Sequence, residues 1–230
     1  MMYTIVVTCD KGGVGKSTVT RILGAAAMAS GLTPVCLVDT DEQGSLLRWH
    51  RKRIAQGIED SGRLLVASAQ LREVGHVAQE LKSAGASLVV IDTPPKLTGI
   101  DTLAELADTV IIPVRPDVDD IELAVYTAGL VCRHVRRYAF CVTQGRPVRL
   151  AREGEDALQL AVHELAQLPA GGTPLIAPSL SLRTAHAEAL VVGQTVVETE
   201  HPDHGARVQA ESLWHFVASN LLLNQEVATT

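Results

Sequence analysis

The apolar residues of the chain form two kinds of pattern, which alternate from one end to the other. Short runs rich in Val and Ile, such as residues 3–9 and 87–91, are bounded by Gly, Pro or acidic residues and are typical of strands buried on both faces of a parallel sheet. Longer segments such as residues 70–83 carry apolar residues three and four positions apart, which predicts amphipathic helices. The predicted strands are residues 3–9, 34–38, 64–67, 87–91, 109–114, 138–142 and 174–177. The predicted helices are residues 16–30, 45–55, 70–83, 119–136, 149–167, 182–191 and 206–223, with a short helix that ends near Ala107.

Strands separated by helix-length segments indicate βαβ crossovers and a mainly parallel sheet covered on both faces. The 230 residues contain no linker rich in Pro, Gly or Ser, so we expect a single domain over residues 1–230. The expected fold class is α/β, a three-layer α/β/α sandwich around that sheet. Ligands of such sheets bind at the carboxyl ends of the strands, so the residues that follow strands are the candidates for function.

Composition narrows the classes of function. With 47% hydrophobic and 20% charged residues, the chain is not of the disordered type. An aromatic content of 3% and a net charge of −6 argue against a base-stacking sheet and against a basic molecule overall, so that DNA binding would need a local patch. The four cysteines lie far apart in apolar segments, which indicates reduced thiols rather than disulfides or a zinc site.

The N-terminal apolar run and the longest uncharged stretch bear on localisation. Asp10 and Lys11 interrupt the first run too early for a secretory signal peptide. The stretch between Arg21 and Asp39 contains two glycines and Pro34, so it is not typical of a membrane span. We therefore expect a cytoplasmic protein without a membrane partner.

A glycine-rich segment follows the first predicted strand and opens the first predicted helix. Its residues are Lys11, Gly12, Gly13, Val14, Gly15, Lys16, Ser17 and Thr18. Glycines let the backbone N–H groups curl round a phosphate, and the N-terminus of the helix adds its dipole. The segment ends as a P-loop does, although Asp10 stands where the general pattern has its first glycine. We predict that it binds ATP, with Lys16 at the β- and γ-phosphates and Ser17 as a ligand of Mg²⁺.

Acidic residues follow the second and fourth predicted strands. Asp39 and Asp41 are two positions apart after a buried strand and so lie on the same side of an extended chain. Asp92 ends an apolar strand and is followed by Thr-Pro-Pro, an arrangement of the Walker B type that delivers a carboxylate to the metal. We predict that Asp39 and Asp92 serve Mg²⁺ together with Ser17, and that Asp41 is catalytic.

The doubled lysine, Lys11 with Lys16, resembles the deviant Walker A box KGGxGK[ST] of the group that comprises ParA, MinD and the nitrogenase iron protein. Residues 39–49, DTDEQGSLLRW, are similar to switch I of ParA partition ATPases, usually DxDPQ, with Glu42 in place of the proline. Residues 107–114 resemble the strand that leads to the subunit interface of this family, and residues 188–196 resemble its C-terminal block. The resemblance covers essentially the whole chain and is closest to the small, ParF-like branch.

This resemblance implies a Mg²⁺-dependent ATPase with the P-loop NTPase fold that closes an ATP-bound sandwich dimer. Lys11 would cross the dimer interface to the nucleotide of the partner, and Asp41 would orient or deprotonate the attacking water. Thr143 and Pro178 stand near the loops from which relatives contact adenine. The dimer would bind nucleoid DNA without sequence preference, and a ParB-like, centromere-binding or cargo-adaptor protein would stimulate hydrolysis.

Arginines are the candidates for contact with DNA, because phosphate neutralisation requires no base readout. The candidates are Arg133, Arg136, Arg137, Arg146, Arg149, Arg152 and Arg183. A second basic run, residues 48–53, follows switch I and is interpreted as solvated helix surface, with a role in partner or DNA binding left open. The last predicted helix lacks Lys and Arg after Arg207, which argues against the membrane-binding helix of MinD-type proteins.

The predicted function is a ParA-like ATPase that segregates or positions a plasmid or chromosome. Alternatives are the positioning of a protein cargo, such as a microcompartment or chemoreceptor cluster, a nucleotide-dependent scaffold or filament, and an amide-forming synthase of the same P-loop branch. The doubled lysine and the lack of an added substrate domain argue against the synthase. The cysteines in or beside predicted strands argue against an iron–sulfur cluster.

Overall fold

The computed structural model describes residues 1–58, 60–95, 99–145, 149–167, 171–200 and 203–222, without the side chains of residues 149–155. The strands are β1 (Tyr3–Val7), β2 (Val35–Asp39), β3 (Leu64–Ser68), β4 (Leu88–Asp92), β5 (Thr109–Val114), β6 (Arg137–Gly145) and β7 (Thr173–Ser181). The helices are α1 (Lys16–Ala29), α2 (Ser45–Ala55), α3 (Val74–Ser83), α4 (Ile100–Leu106), α5 (Val118–Val131), α6 (Arg149–Ala166), α7 (Thr184–Val191) and α8 (His204–Val217). A 3₁₀ turn, Leu71–Glu73, precedes α3, and a π-helical turn, Ala218–Leu222, follows α8.

Within these residues the strands form one sheet in the order β3-β2-β4-β1-β5-β6-β7, and every recorded pairing is parallel. Strands β2, β4 and β5 are buried along their whole length because an apolar layer covers each face of the sheet. One layer packs α1, α2, α7 and α8 through residues such as Ile22, Trp49 and Leu213. The other packs α3 to α6 through residues such as Leu103 and Ala124. The predicted three-layer α/β fold is confirmed.

Several element boundaries differ from the prediction, chiefly around β6 and β7. Helix α5 ends at Val131 instead of residue 136, because the next carbonyls pair with the start of β7: Cys132 O accepts from Gly172 N at 2.6 Å and Arg136 O from Thr173 N at 2.8 Å. Strand β7 continues to Ser181 instead of residue 177, since its ladder with β6 extends to Gly145 and Ser181.

The strand order sets the carboxyl ends of β2, β4 and β1 side by side. Asp92 lies opposite Asp39 in the register of β4 with β2, and opposite Val7 in the register of β4 with β1. The glycine-rich segment that follows β1 and the predicted acids are thereby brought to one edge of the sheet. In the part of the chain that the structure describes, no helix has both the length and the hydropathy needed to cross a membrane.

Candidate functional site

The glycine-rich loop is shaped by backbone that an L side chain rarely adopts. Gly15 has φ +92° and is the N-cap of α1, where no side chain supplies a capping hydrogen bond. A Cβ at this position would be strained in that conformation, which explains the glycine. The N–H groups of the first turn of α1 are therefore not capped by the N-cap residue, as an anion-binding helix N-terminus requires.

Lys16 is folded back across this loop. Its side chain is buried, and Nζ donates to Lys11 O at 2.6 Å and to Cys9 O at 3.2 Å. Burial lowers the pKa of the Lys16 ammonium, while nearby thiol and carboxyl groups oppose that change. A phosphate would give this desolvated cation an anionic partner, so the geometry agrees with the predicted role of Lys16.

The two strand-end carboxylates are both fully buried, but their surroundings differ. Asp39 accepts backbone N–H groups at both oxygens: Oδ1 from Asp41 at 3.2 Å, and Oδ2 from Leu46 at 2.8 Å and Leu47 at 3.3 Å. It thus holds the first turn of α2. Asp39 as a ligand of Mg²⁺ stays a prediction, because these contacts already give its carboxylate a structural role.

Asp92 is the carboxylate with an open coordination position. Its Oδ2 is buried without a hydrogen-bond partner, and Oδ1 has a long contact of 3.5 Å to Thr20 Oγ1. Desolvation raises the pKa of Asp92 to about 7, against a hydrogen bond from Ser17 that lowers it. A buried, unpartnered carboxylate oxygen beside a hydroxyl fits a hard divalent cation with oxygen ligands. Ser17 and Asp92 are therefore suited to hold Mg²⁺.

Asp41 lies in the loop between β2 and α2, which we call the switch loop (residues 40–44). Its Oδ1 accepts from Gln43 N at 2.9 Å. Asp41 lines a cavity of about 1010 Å³ between the switch loop, the 3₁₀ turn before α3, and Pro94 with Pro95 after β4. Asp41 thus stands at the same sheet edge as Asp92, on an accessible surface where water can enter.

Lys11 is engaged by a residue that the sequence analysis missed. Its Nζ lies 3.0 Å from Asp120 Oδ1, and the exposed fractions of the two side chains are 33% and 1%. Arg115 binds the same carboxylate through Nε and Nη2. Burial by itself would raise the pKa of Asp120, but the hydrogen bonds from Arg115 and Lys11 hold it below its ordinary value. The sequence did contain a signal for Asp120, which is an acid in the first turn of the helix after β5. Acids are common at such positions because they interact favourably with the helix dipole, so the signal was not specific.

A cavity of about 310 Å³ adjoins the loop on the side of β6 and β7, and its lining includes Gly15, Thr18, Thr143, Arg183 and His186. Thr143 Oγ1 donates to Val14 O at 2.7 Å, so one predicted adenine residue does lie under the loop.

The other predicted adenine residue, Pro178, is placed elsewhere. It lines a separate depression with residues of α8, including Glu211 and Phe216. The prediction was wrong about where the last strand ends: because β7 runs to Ser181, residues 180–183 and not Pro178 reach the cavity beside the loop.

The predicted DNA-contacting arginines are not one uniform group. Arg133 and Arg136 are exposed in the turn after α5, whereas Arg137 Nη1 donates to Asn220 O at 2.7 Å. Arg183 is paired with Asp203 at 2.9 Å, which neutralises its charge beside the small cavity. Arg146 and the side chains of Arg149 and Arg152 lie outside the described residues.

Comparison with known proteins agrees with this geometry. Residues 5–196 match the CbiA model, described as the CobQ/CobB/MinD/ParA nucleotide binding domain. The chain is 32% identical over 201 residues to the maintenance of carboxysome distribution protein A of Gloeobacter kilaueensis, covering 84% of this chain and 83% of that protein.

Two solved structures share the fold. The septum site-determining protein MinD of Pyrococcus horikoshii, complexed with Mg-ADP, superposes with a TM-score of 0.71 at 15% identity, over 95% of this chain and 97% of that one. A putative plasmid partition protein of Borrelia burgdorferi bound to AMPPNP gives a TM-score of 0.63 at 18% identity, over 95% and 99%. Since the family model spans most of the chain and a relative exceeds 30% identity over most of its length, the chain belongs to the CobQ/CobB/MinD/ParA family of nucleotide-binding domains.

Proposed function

We propose that the protein is a ParA-type ATPase that uses a cycle of ATP binding and hydrolysis to position a cargo. The observation that carries the proposal is the meeting, at one sheet edge, of a loop with two lysines, the unpartnered Asp92 oxygen and the switch-loop carboxylate Asp41. A nucleotide-binding protein without turnover would not need an acid such as Asp41 on the water-accessible side of the site.

The reaction is attack of water on the γ-phosphorus of ATP, with ADP as the leaving group. Asp41 orients this water or accepts its proton. Lys16 binds the β- and γ-phosphates and stabilises the charge that develops on the leaving oxygen. Mg²⁺, held by Ser17 and Asp92, supplies further charge stabilisation when it is bound.

Lys11 distinguishes a sandwich dimer from an ATPase that acts within one subunit. In the single chain its ammonium is paired with Asp120. Two nucleotides brought close to a two-fold axis repel each other, and a lysine from each subunit offsets that repulsion. The Lys11 side chain would leave Asp120 and reach the phosphates of the other subunit, which links dimerisation to ATP.

The dimer would bind DNA without sequence preference, act on the nucleoid in the cytoplasm, and respond to an adaptor protein on the cargo. A large protein assembly is favoured as the cargo because the curated relative at 32% identity is named for carboxysome distribution. A plasmid or chromosome is the second candidate, supported by the fold shared with a plasmid partition protein.

The test compares three variants for nucleotide binding, dimerisation and hydrolysis. Lys16→Ala should lose ATP binding, and Asp41→Ala should bind ATP and Mg²⁺ but lose hydrolysis. Lys11→Ala in the Asp41→Ala background should bind ATP as a monomer and form no ATP-dependent dimer in sedimentation experiments. A normal dimer in that background would contradict the sandwich, and parental hydrolysis by Asp41→Ala would remove Asp41 from the mechanism. Light scattering with ATP tests for filaments, the scaffold alternative.

A further inference from the structure

We infer that the outward face of α2, formed by Arg48, Arg51 and Lys52 and called here the α2 basic face, binds the phosphate backbone of duplex DNA. The inference rests on the proposed function in one respect, namely that the nucleotide-bound protein binds DNA. It assigns that binding to a surface other than the arginines after α5, and it attaches the surface to the switch loop.

The first argument is charge. Residues 45–57 contain four Lys or Arg residues and no Asp or Glu, in a chain whose net charge is −6. Positions three and four apart lie on one side of a helix, so Arg48, Arg51 and Lys52 share a face, and all three are exposed. The fourth cation, Arg53, points the other way and is fully buried. A helix face with cations and no acids is complementary to a phosphate backbone, which carries one charge per ~1.7 Å of duplex axis.

The second argument is that the buried side of α2 is anchored in the core of the protein. Leu46 and Trp49 are buried in the core, and Trp49 Nε1 donates to Gln194 O at 3.2 Å. Arg53 forms ion pairs with Asp60 at 2.6 Å and Glu198 at 2.8 Å. Ile54 is the one large apolar side chain that α2 exposes, and a single apolar residue does not form the apolar face with which a helix inserts into lipid. A helix that is anchored in the core and exposes three cations without an acid is suited to a polyanion instead.

The third argument is the connection to the nucleotide site. The first turn of α2 is fixed to the end of β2 by Asp39, whose carboxylate accepts hydrogen bonds from the N–H groups of Leu46 and Leu47. Arg48 donates to Gln43 O in the switch loop and, at 3.2 Å, to Ser45 Oγ at the start of α2. A rearrangement of the switch loop on nucleotide binding would release the guanidinium of Arg48 and add a third cation to Arg51 and Lys52. Lys52 Nζ has a long contact of 3.4 Å to Leu190 O and none to the switch loop, and its side chain stays exposed.

The surface after α5 is less complementary to DNA. Two acids of α4 lie beside this surface. Asp101 Oδ1 is 3.2 Å from His134 Nε2, and Glu105 Oε1 is 3.8 Å from His134 Nδ1. Arg137 is engaged by a backbone carbonyl, which leaves Arg133 and Arg136 as its exposed arginines among the described residues. Their positive charge is therefore partly offset by neighbouring carboxylates.

The experiment measures affinity for a mixed-sequence duplex, with Mg²⁺ and a non-hydrolysable ATP analogue, over a range of salt concentrations. Arg51→Ala/Lys52→Ala should weaken binding roughly 50-fold at about 0.1 M salt and reduce the slope of log affinity against log salt by about 2, since each phosphate contact contributes ~0.9 to the slope. Nucleotide affinity should not change. The matched control is Lys82→Ala/Arg207→Ala, which removes the same charge from exposed positions on α3 and α8.

The outcomes separate this inference from the proposed function. If the parent protein binds DNA and the α2 pair binds within about threefold of the control, the inference is wrong and the proposed function stands. If Arg133→Ala/Arg136→Ala alone loses binding, the surface after α5 is the contact and the inference is again wrong. A parent protein that does not bind DNA overturns both. Anionic vesicles are the second probe, and a loss by the α2 pair of vesicle binding but not of DNA binding would assign the face to lipid instead.

Arg48→Ala tests the connection to the switch loop. It should reduce the salt slope by about 1 with the ATP analogue and leave the slope unchanged without nucleotide, because only the first state frees the guanidinium. Arg51→Ala should reduce the slope equally in both states. Equal effects of Arg48→Ala in both states would contradict the gating by the switch loop.

Discussion

Replacing Asp92 by asparagine should make the nucleotide-free protein more stable while removing its response to Mg²⁺. The Asp92 carboxyl is fully buried, its Oδ2 has no partner, and desolvation raises its pKa to about 7 from 3.8. In the unfolded chain the same group ionises near its ordinary pKa. The folded protein therefore maintains a carboxylate in an unfavourable place, which is explained if that carboxylate serves a cation.

The expected magnitude follows from the difference between the two pKa values. Each pKa unit corresponds to about 1.36 kcal/mol, so ionisation of Asp92 costs the folded state about 4 kcal/mol above pH 7. Between about pH 4 and pH 7 the native state retains a proton that the unfolded state has lost, so that stability falls as the pH rises through this window. The asparagine of Asp92→Asn cannot ionise. The variant should therefore be no more stable than the parent below about pH 4, and its gain in stability should be complete above about pH 7.

The assay is urea unfolding of the parent and of Asp92→Asn at a series of pH values without nucleotide, followed by the same series with Mg²⁺ and ADP. We expect Asp92→Asn to be more stable by about 3–4 kcal/mol at pH 8 and to gain little from Mg²⁺ beyond the effect of ADP alone. Asp41→Asn is the matched control, since its carboxyl is only half-buried and the change should stay within about 0.5 kcal/mol. An Asp92→Asn variant that is no more stable than the parent at pH 8 would refute the argument.

Three further predictions concern contacts that only the folded chain makes. Asp120→Asn should let the ATP-dependent dimer form at a several-fold lower protein concentration, because Lys11 no longer has to leave an ion pair, and sedimentation showing an unchanged or weaker dimer would contradict this. Arg53→Met should lower the free energy of unfolding by about 3–5 kcal/mol, because it leaves the largely buried carboxylates of Asp60 and Glu198 without their cation. The control Arg51→Met, at an exposed position, should change it by less than about 0.5 kcal/mol, and equal effects of the two variants in urea unfolding would count against a stabilising role of these ion pairs. Gly193→Ala should destabilise the fold by about 2 kcal/mol or more, because φ is +70° and the new Cβ would stand 2.5 Å from Arg53 N, and an unchanged unfolding midpoint would argue against that close approach.

Local patterns in the sequence were enough to predict the architecture and to select the candidate residues that the fold brings to one edge of the sheet. The apolar runs identified the parallel strands, because strands buried on both faces need continuous apolar residues. Glycines followed by Lys16 and Ser17 identified the loop, and acids at strand ends identified Asp39, Asp41 and Asp92. The predicted fold is confirmed, whereas the roles of these residues stay predictions. Their selection depended on residues that are neighbours in the chain, together with the rule that parallel strands end at one edge of a sheet.

The tertiary structure decided what each charged side chain does. Arg51 and Arg53 are two residues apart and chemically alike, yet one is exposed and the other is buried between Asp60 and Glu198. The pairing of Lys11 with Asp120 joins segments that are distant in sequence. Such pairings depend on which helix packs beside which loop, and on how much water the packing removes, since desolvation decides whether a charge needs a partner.

The end of β7 was likewise decided by pairing and not by composition. Residues 178–181 carry no continuous apolar run, but their backbone groups extend the ladder with β6 as far as Gly145. Hydrogen bonds to a neighbouring strand can lengthen a strand beyond its apolar core, because every backbone polar group in a packed sheet requires a partner. For that reason the glycine-rich loop could be placed from the sequence, whereas only the fold showed that residues 180–183, and not Pro178, line the cavity beside it.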